Sequence, residues 1–182
     1  MQSHAKFNET MSTPETRPTA RVKLCIASSL SELEQIRALL RRYAQWLDDN
    51  DPHGVDLCFQ GFEQELAELP GKYAPPQGRL LLARCGEEEA GCVAVRPFEF
   101  DPSICEMKRL YVRPEFMGRG IGKCLVEAII QAGKELKYRA MRLDTLPYMK
   151  AAIALYQAHG FKPIPRYYDT PLKDTIFLEL EL

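Results

Sequence analysis

The sequence predicts an α/β fold in which helices flank both faces of one mixed, mostly antiparallel central sheet. Three observations predict this class. Segments with strand-like alternation or helical period follow the order β-α-α-β-β-β-α-β-α-β along 182 residues, without an internal repeat. An antiparallel meander thus feeds a β-α-β-α-β half, an order typical of a sheet that is covered on both faces. The composition is 46% hydrophobic, which is enough for one sizeable core.

The N-terminal segment differs from the rest of the chain. Residues 1–20 are rich in Ser, Thr, Pro and Glu and lack the apolar core of a signal peptide. We therefore expect a disordered tail over 1–20, followed by a single domain over 21–182. The sequence contains no run of the ~20 apolar residues that a membrane span needs. A cytoplasmic protein without membrane contact is expected.

The first half of the chain contains one predicted strand and two predicted helices. The strand covers 22–27, and the following helix is expected to begin with a capping box formed by Ser31 and Glu34. A second, shorter helix is predicted over 59–69, ended by Pro70. The apolar stripe of the first helix consists of Leu33, Ile36, Leu39, Leu40, Tyr43, Trp46 and Leu47.

The middle of the chain is predicted to be a strand meander. Strands over 79–85 and 90–97 are joined by the acidic turn 86–89, and a third strand covers 104–112. Simple alternation assigns the side chains of this third strand to two faces. One face carries Glu106, Lys108, Leu110 and Val112, and the other carries Cys105, Met107, Arg109 and Tyr111.

The second half alternates helices and strands. A long helix is predicted over 120–137, a strand over 140–145, a helix over 149–158, and a last, strictly alternating strand over 174–182. A short additional strand near 161–164 is an alternative to a plain loop there. The apolar stripe of the long helix consists of Ile121, Leu125, Ile129, Ala132 and Leu136.

Charge and cysteine spacing exclude several classes of function. The net charge is −1, and Lys and Arg are not clustered, so a nucleic-acid partner is not expected. The six cysteines have no C-x-x-C spacing, and only three histidines accompany them. No metal site is therefore expected.

A glycine-rich turn precedes the long helix. Gly118, Gly120 and Gly122 occupy alternate positions there. Unpaired N–H groups and the positive end of the helix dipole make such a turn a site for phosphate. A P-loop fits poorly, because Met117 stands at its first glycine position and Cys124 at that of its hydroxyl. A dinucleotide fingerprint also fits poorly, because the third glycine comes one residue early. A tight connection without a ligand is the other alternative.

Three blocks of residues in order resemble the GNAT superfamily of acetyl-CoA-dependent N-acetyltransferases. The blocks are Leu110-Tyr111-Val112-Arg113-Pro114-Glu115, Met117-Gly118-Arg119-Gly120-Ile121-Gly122, and Ala152-Ile153-Ala154-Leu155-Tyr156 with Gly160-Phe161. The predicted element order from Val22 to Leu182 agrees with that fold. The chain departs from the family at Met117, where Gln or Arg is usual, and at Met149, where many members have Asn.

The resemblance implies acetyl-CoA as co-substrate. Its pantetheine arm would lie along the strand end, and its pyrophosphate would bind the backbone amides of the glycine turn. The implied cofactor-binding residues are Leu110, Tyr111, Val112, Met117, Gly118, Arg119, Gly120, Ile121, Gly122 and Lys123.

The implied reaction is direct attack of a primary amine on the thioester in a ternary complex. Amines with a pKa near ~10.4 are almost fully protonated at neutral pH, so a proton acceptor is needed. Glu106 is the candidate base; the alternative is an ion pair with Lys108 or with a neighbouring strand. Tyr156 is the candidate general acid at the thioester sulfur, and a buried aromatic with no chemical role is its alternative.

The acceptor is a small-molecule or peptide amine that the sequence does not identify. Candidate acceptor-site residues are Phe59, Arg96, Tyr167 and Tyr168. Exposed sheet edges are compatible with a homodimer. The alternative function is a non-catalytic acyl-CoA-binding sensor or interaction module with the same fold.

Overall fold

The computed structural model describes residues 21–50, 61–172 and 174–182, which build one seven-stranded sheet. Along the sheet the strand order is β1-β2-β3-β4-β5-β7-β6, and every pairing is antiparallel except that of β4 with β5. The strands are β1 (Val22–Ile26), β2 (Arg79–Cys85), β3 (Glu88–Phe98), β4 (Asp101–Val112), β5 (Ala140–Thr145), β6 (Lys162–Pro163) and β7 (Ile176–Glu181). The helices are α1 (Leu30–Asn50), α2 (Phe62–Glu68), α3 (Ile121–Glu135) and α4 (Lys150–Ala158). This architecture confirms the predicted fold class.

Two large hydrophobic cores lie on opposite faces of the sheet, because each face is covered by helices. One core packs the apolar stripe of α3 against β2 to β5 and β7. The other packs α1 and α2 against β2 and β3. The stripes predicted for α1 and α3 are the sides that face these cores, although Tyr43, Trp46 and Leu136 are only half-buried. In the described part of the chain, no helix has the length and hydrophobicity of a transmembrane segment.

The cap of α1 differs from the prediction. Ser29, not Ser31, forms the capping box: its hydroxyl accepts the amide of Glu32 at 3.2 Å and donates to the Glu32 carboxylate at 2.8 Å. Both Ser-x-x-Glu pairs have the required spacing. The pair Ser29 and Glu32 is used because the Ala27 amide still donates to the Leu80 carbonyl beyond the end of β1. The helix then begins at Leu30, directly after Ser29. Hydrogen bonds from backbone amides, with that of Ser29 first, lower the pKa of Glu32 to about 2.

A β-bulge interrupts β4. Arg109 has a φ of 60°, and the register with β3 shifts there. Before the bulge Lys108 lies opposite Ala94, and after it Tyr111 lies opposite Cys92, so β4 holds one residue more than β3 over this stretch. The extra residue reverses which face the following side chains occupy.

The bulge overturns the predicted face of Glu106. Met107 before the bulge and both Leu110 and Val112 after it pack on the α3 core. Glu106 therefore lies on the opposite face, the one that carries Tyr111 in the α1 core. Simple alternation predicted a face shared by Glu106 and Leu110, and that prediction was wrong.

The sheet opens between its two halves. β4 and β5 pair only from Ile104–Glu106 against Ala140–Arg142. Beyond this point β4 stays paired with β3 as far as Val112, and β5 stays paired with β7 as far as Thr145. Each of the two strands therefore has an unpaired edge that faces the gap between them.

A buried ion pair holds the bulge to α2. The Arg109 guanidinium donates to both carboxylate oxygens of Glu65, at 2.8 and 3.1 Å, and both side chains are almost fully buried. Lys72 at 2.7 Å and the Tyr73 hydroxyl at 2.9 Å bind the same carboxylate. Burial alone would raise the pKa of Glu65, but hydrogen bonds and charge from Arg109, then Lys72, lower it to about 2.

Replacing Glu65 should destabilise the fold in a pH-dependent manner. Glu65→Gln leaves the buried Arg109 charge without its partner, which should reduce the free energy of unfolding by about 3–5 kcal/mol at neutral pH. A carboxyl whose pKa is lowered on folding stabilises fully above its unfolded pKa near 4.5 and loses that contribution as pH falls toward about 2. Denaturant unfolding at several pH values should therefore show that the difference in free energy of unfolding between the unmodified protein and Glu65→Gln becomes smaller as the pH falls.

Glu63→Gln on the exposed side of α2 is the matched control, and its effect should stay within about 0.5 kcal/mol. Equal stabilities of the two variants at neutral pH would refute the role assigned to the buried pair.

Candidate active site

A cleft of about 510 Å³ lies beside the unpaired end of β4. Its walls are the glycine turn, the start of α4 and one side of α1, and we call it the glycine cleft. Nine of the ten predicted cofactor-binding residues line it: Leu110, Tyr111, Val112, Met117, Gly118, Gly120, Ile121, Gly122 and Lys123. The tenth, Arg119, does not line the cleft, and its guanidinium lies over the Phe116 ring at 5.1 Å.

The glycine turn leaves its backbone open to a ligand. Gly118 and Gly120 have φ values of 75° and 78°, which favour glycine, and an added Cβ at either would meet nothing within 4 Å. Gly120 is the N-cap of α3, and no side chain caps the helix there. The first amides of α3 therefore point at the cleft without a side-chain partner, the arrangement that suits a phosphate.

Sequence reasoning missed part of the cleft. Tyr43 and Trp46 of α1 line it, as do Tyr148 to Ala152 at the start of α4. The two α1 aromatics belong to the predicted apolar stripe but are only half-buried, because they extend past the core to the cleft. Met117, in the position where Gln or Arg is usual, is 53% exposed and adds apolar surface rather than charge.

A small cavity of about 70 Å³ continues from the cleft into the gap between β4 and β5; we call it the inner cavity. Tyr43, Leu110 and Met149 line both spaces, so the two adjoin. The inner cavity also contains Tyr156, which is 7% exposed. Burial raises the pKa of its phenol, with smaller contributions from Tyr43 and Asp144.

A third space of about 360 Å³, the charged cavity, lies on the far side of the gap. Lys108 and Arg109 line both this cavity and the inner cavity, so all three spaces run in series through the opened sheet. The charged cavity is lined by Lys72, Arg96, Phe98, Glu99, Phe100, Glu106, Lys108, Arg109, Tyr168 and Asp169.

Glu106 lies in the charged cavity and pairs with a neighbouring strand. Its Oε2 accepts from Arg96 of β3 at 2.8 and 2.9 Å, and its Oε1 accepts from the Tyr167 hydroxyl at 3.2 Å. Lys108, considered as an alternative partner, instead binds Asp144 at 2.7 Å. The ion pair with Arg96 and the hydrogen bond from Tyr167 hold the carboxylate at the wall of the cavity.

The two predicted tyrosines have different positions. Tyr167 packs edge-on against Phe98 and Phe177, at centroid distances of 5.2 and 4.9 Å, and reaches the charged cavity through Glu106. Tyr168 lines the cavity itself and interacts with Asp144. Burial, and then the charge of Asp144, raises the pKa of Tyr168. The remaining candidate, Phe59, lies outside the described residues.

Several charged residues of the site were not predicted, among them Lys72 and Asp144, which line the cavities, and Glu65, which binds Arg109 and Lys72. Asp144 is polar within a strand whose alternate residues are apolar, a signal that could have identified it. Glu65 acquires its place through its contact with Arg109 of β4, and Lys72 through its contact with Glu65; neither contact leaves a local signal. Within the ranges that the structure describes, no group of three or more His, Cys, Asp or Glu residues could hold a metal ion.

Comparisons with known proteins identify the family. Residues 76–163 match the acetyltransferase (GNAT) domain. The chain is 43% identical over 152 residues to an uncharacterised N-acetyltransferase of Schizosaccharomyces pombe, covering 83% of this chain and 89% of that protein.

Solved structures show the same fold. An acetyltransferase from Streptococcus agalactiae superposes with a TM-score of 0.72 at 20% identity, covering 88% of this chain and 98% of that one. The PaiA N-acetyltransferase from Thermoplasma acidophilum, in complex with coenzyme A, has a TM-score of 0.69 at 17% identity, with coverages of 89% and 99%. The protein therefore belongs to the GNAT superfamily of N-acetyltransferases and is an acetyl-CoA-dependent acyltransferase.

Proposed function

We propose that residues 21–182 form one catalytic domain that transfers acetyl from acetyl-CoA to a primary amine in a ternary complex. The observation that carries this proposal is the series of three adjoining spaces, with the glycine turn at one end and a charged cavity at the other. A cofactor in the glycine cleft would direct its thioester into the inner cavity. An amine in the charged cavity would approach that thioester from the opposite side.

The cofactor would bind through backbone groups. The unpaired edge of β4 at Leu110 to Val112 would accept the pantetheine arm as an additional strand. The amides of the glycine turn would hold the pyrophosphate. A backbone amide near Val112 would donate to the thioester oxygen, and one such donor can be worth ~3 kcal/mol in the transition state.

Glu106 would remove the proton from the incoming ammonium. It is the carboxylate at the charged cavity that is both buried and oriented, through Arg96 and Tyr167. Because Glu106 lines the charged cavity, the amine there would lie on the same face of the sheet as the carboxylate that takes its proton. The neutral amine would then form the C–N bond to the acetyl carbon.

Tyr156 would assist the departure of the thiolate. Its raised pKa keeps the hydroxyl protonated across the neutral range, so it can always donate to the sulfur. Burial likewise disfavours a free thiolate, which makes the sulfur a better proton acceptor as the C–S bond breaks. The proton of Tyr156 would end on coenzyme A. The second proton, which the nitrogen loses as the amide forms, would return the Tyr156 phenolate to its hydroxyl form, and Glu106 would release the first proton to solvent.

Acetyl-CoA should stabilise the protein, whereas ATP and NAD should not. At 100 times its dissociation constant a ligand adds about 2.7 kcal/mol, which for a domain of this size raises Tm by roughly 5–10 °C. Thermal melts with each compound test this. Lys123→Met at the cleft should reduce the shift, and Lys134→Met in the last turn of α3 should not. The absence of a shift with saturating acetyl-CoA would remove the basis of the proposal.

Tyr156→Phe should lower kcat by about 100-fold or more, because the leaving sulfur loses its proton donor. The KM for acetyl-CoA should change little, since the hydroxyl acts mainly as the bond breaks. Steady-state release of free CoA measures both constants. Tyr138→Phe is the control, since that hydroxyl bonds Gln77 away from the three spaces. Unchanged kcat in Tyr156→Phe would contradict the proposed acid.

Glu106→Gln should lower kcat/KM at neutral pH by roughly 100-fold, and the loss should shrink as pH rises toward the amine pKa. More of the amine is then neutral without help from a base. The measurement is a pH–rate profile of CoA release for both proteins, with the exposed Glu181→Gln as control. A loss that is constant across pH would assign Glu106 a structural role through Arg96. Absence of CoA release with any amine, even in the unmodified protein, would favour a sensor instead.

A further inference from the structure

Four cationic side chains line the charged cavity: Lys72, Arg96, Lys108 and Arg109. Their burial increases inward: the Lys72 side chain is 38% exposed, that of Arg96 28%, and that of Arg109 only 5%. Two carboxylates that also line the cavity, Glu99 and Asp169, are exposed at its rim, and Asp169 pairs with Arg166. Solvent screens these rim charges far more than the buried ones.

Three carboxylates pair with the four cations. Glu106 pairs with Arg96, and Asp144 pairs with Lys108. Glu65 is shared, because Arg109 binds both of its oxygens and Lys72 binds one of the same oxygens. Among the described residues, the cations that line the cavity therefore outnumber by one the carboxylates that pair with them.

Lys72 carries this surplus charge. Its ammonium has three donors, and the contact with Glu65 uses one of them. Burial is the main cause that lowers the pKa of Lys72, and the hydrogen bond and charge of Glu65 oppose it. The charges of Arg96 and Arg109 lower the pKa further, as expected where cations lie close together. Arg96 also lines the cavity and uses its Nε and one terminal nitrogen on Glu106, so within the described residues its other terminal nitrogen remains for a ligand. An anion between Lys72 and Arg96 would satisfy these donors.

We propose that the acceptor is an amine that also carries a carboxylate a few bonds away, as in a free amino acid. This inference rests on the proposed function and names its acceptor class. The carboxylate would bind Lys72 and Arg96, and the amine would lie beside Glu106, which Arg96 also contacts. Because Arg96 would bind the carboxylate of the acceptor and also binds Glu106, the carboxylate and the amine of the acceptor would lie close together. The N-terminus of a folded protein does not meet this requirement.

Aromatic side chains form the uncharged wall of the cavity. Phe98 and Phe100 meet edge-to-face at 5.5 Å, and Phe100 is 72% exposed. Together with Tyr168 they offer apolar surface to the remaining part of the acceptor. An amino acid with an aromatic side chain is therefore a suitable first acceptor to test.

The test compares L-phenylalanine, L-phenylalaninamide and phenethylamine as acceptors in a CoA-release assay. The three share an aromatic body and an amine, and L-phenylalanine alone carries a carboxylate. We expect kcat/KM to be roughly 10- to 100-fold higher for the acid, the effect of about one charge-assisted hydrogen bond. The amide has the less basic amine, so it would react faster than the acid if only the fraction of neutral amine mattered.

Variants at position 72 locate the effect. Lys72→Met keeps the length of the side chain, and Glu65 retains Arg109, so the fold should persist. It should lower kcat/KM for L-phenylalanine roughly 10- to 100-fold, chiefly through KM, and change that for phenethylamine by less than about 3-fold. Lys72→Arg should restore most of the preference, and the exposed Lys134→Met should preserve it fully.

The other nineteen amino acids, each with its decarboxylated amine, complete the panel. If the decarboxylated amines are turned over as fast as the corresponding amino acids, or faster, the inference is overturned and the acetyltransferase proposal remains intact. The same holds if Lys72→Met affects both acceptors equally. Failure of acetyl-CoA to bind in a thermal melt would instead overturn the proposed function, and this inference with it.

Discussion

The buried ion pair between Glu65 and Arg109 is the interaction on which the shape of the site depends. Arg109 has a positive φ, which costs a non-glycine residue free energy, and such a conformation persists only where its surroundings hold it. Glu65 on α2 provides that restraint, because its two carboxylate oxygens accept from Nε and Nη2 of the guanidinium. The pair thereby connects a short helix to the point where β4 changes register. Every side chain of β4 beyond that point takes its orientation from this bulge.

The bulge allows one strand to line two different spaces. Before it, Glu106 and Lys108 line the charged cavity; after it, Leu110 and Val112 line the glycine cleft. A regular strand would direct all four of these side chains to the same face. The divergence of β4 from β5 then opens the space in which the two ligands would meet. A local irregularity and the end of a strand pairing thus generate three connected spaces from an otherwise ordinary sheet.

The sequence predicted those parts of the molecule that follow from local periodicity. The stripes of α1 and α3, the alternation of β7 and the glycine turn are each encoded within a short window, and all agree with the structure. The face of Glu106 could not be predicted, because the bulge occurs at an arginine rather than at a glycine and is held by a partner 44 residues away. The position of Lys72 could not be predicted for the same reason, because Lys72 contacts Glu65, which is itself bound to Arg109.

The concentration of ion pairs around one cavity is better explained by recognition than by stability. A buried ion pair rarely stabilises a fold more than apolar residues of similar volume, because desolvation offsets the attraction. In the described part of the chain, four cations line a single cavity and three buried or half-buried carboxylates pair with them, while the walls of the adjoining cleft are mostly apolar and include the backbone of the glycine turn. A backbone site suits a cofactor that is common to a whole family. An arranged set of fixed charges suits an acceptor that must be distinguished from other amines, and in this chain that set leaves one positive charge for the acceptor to neutralise.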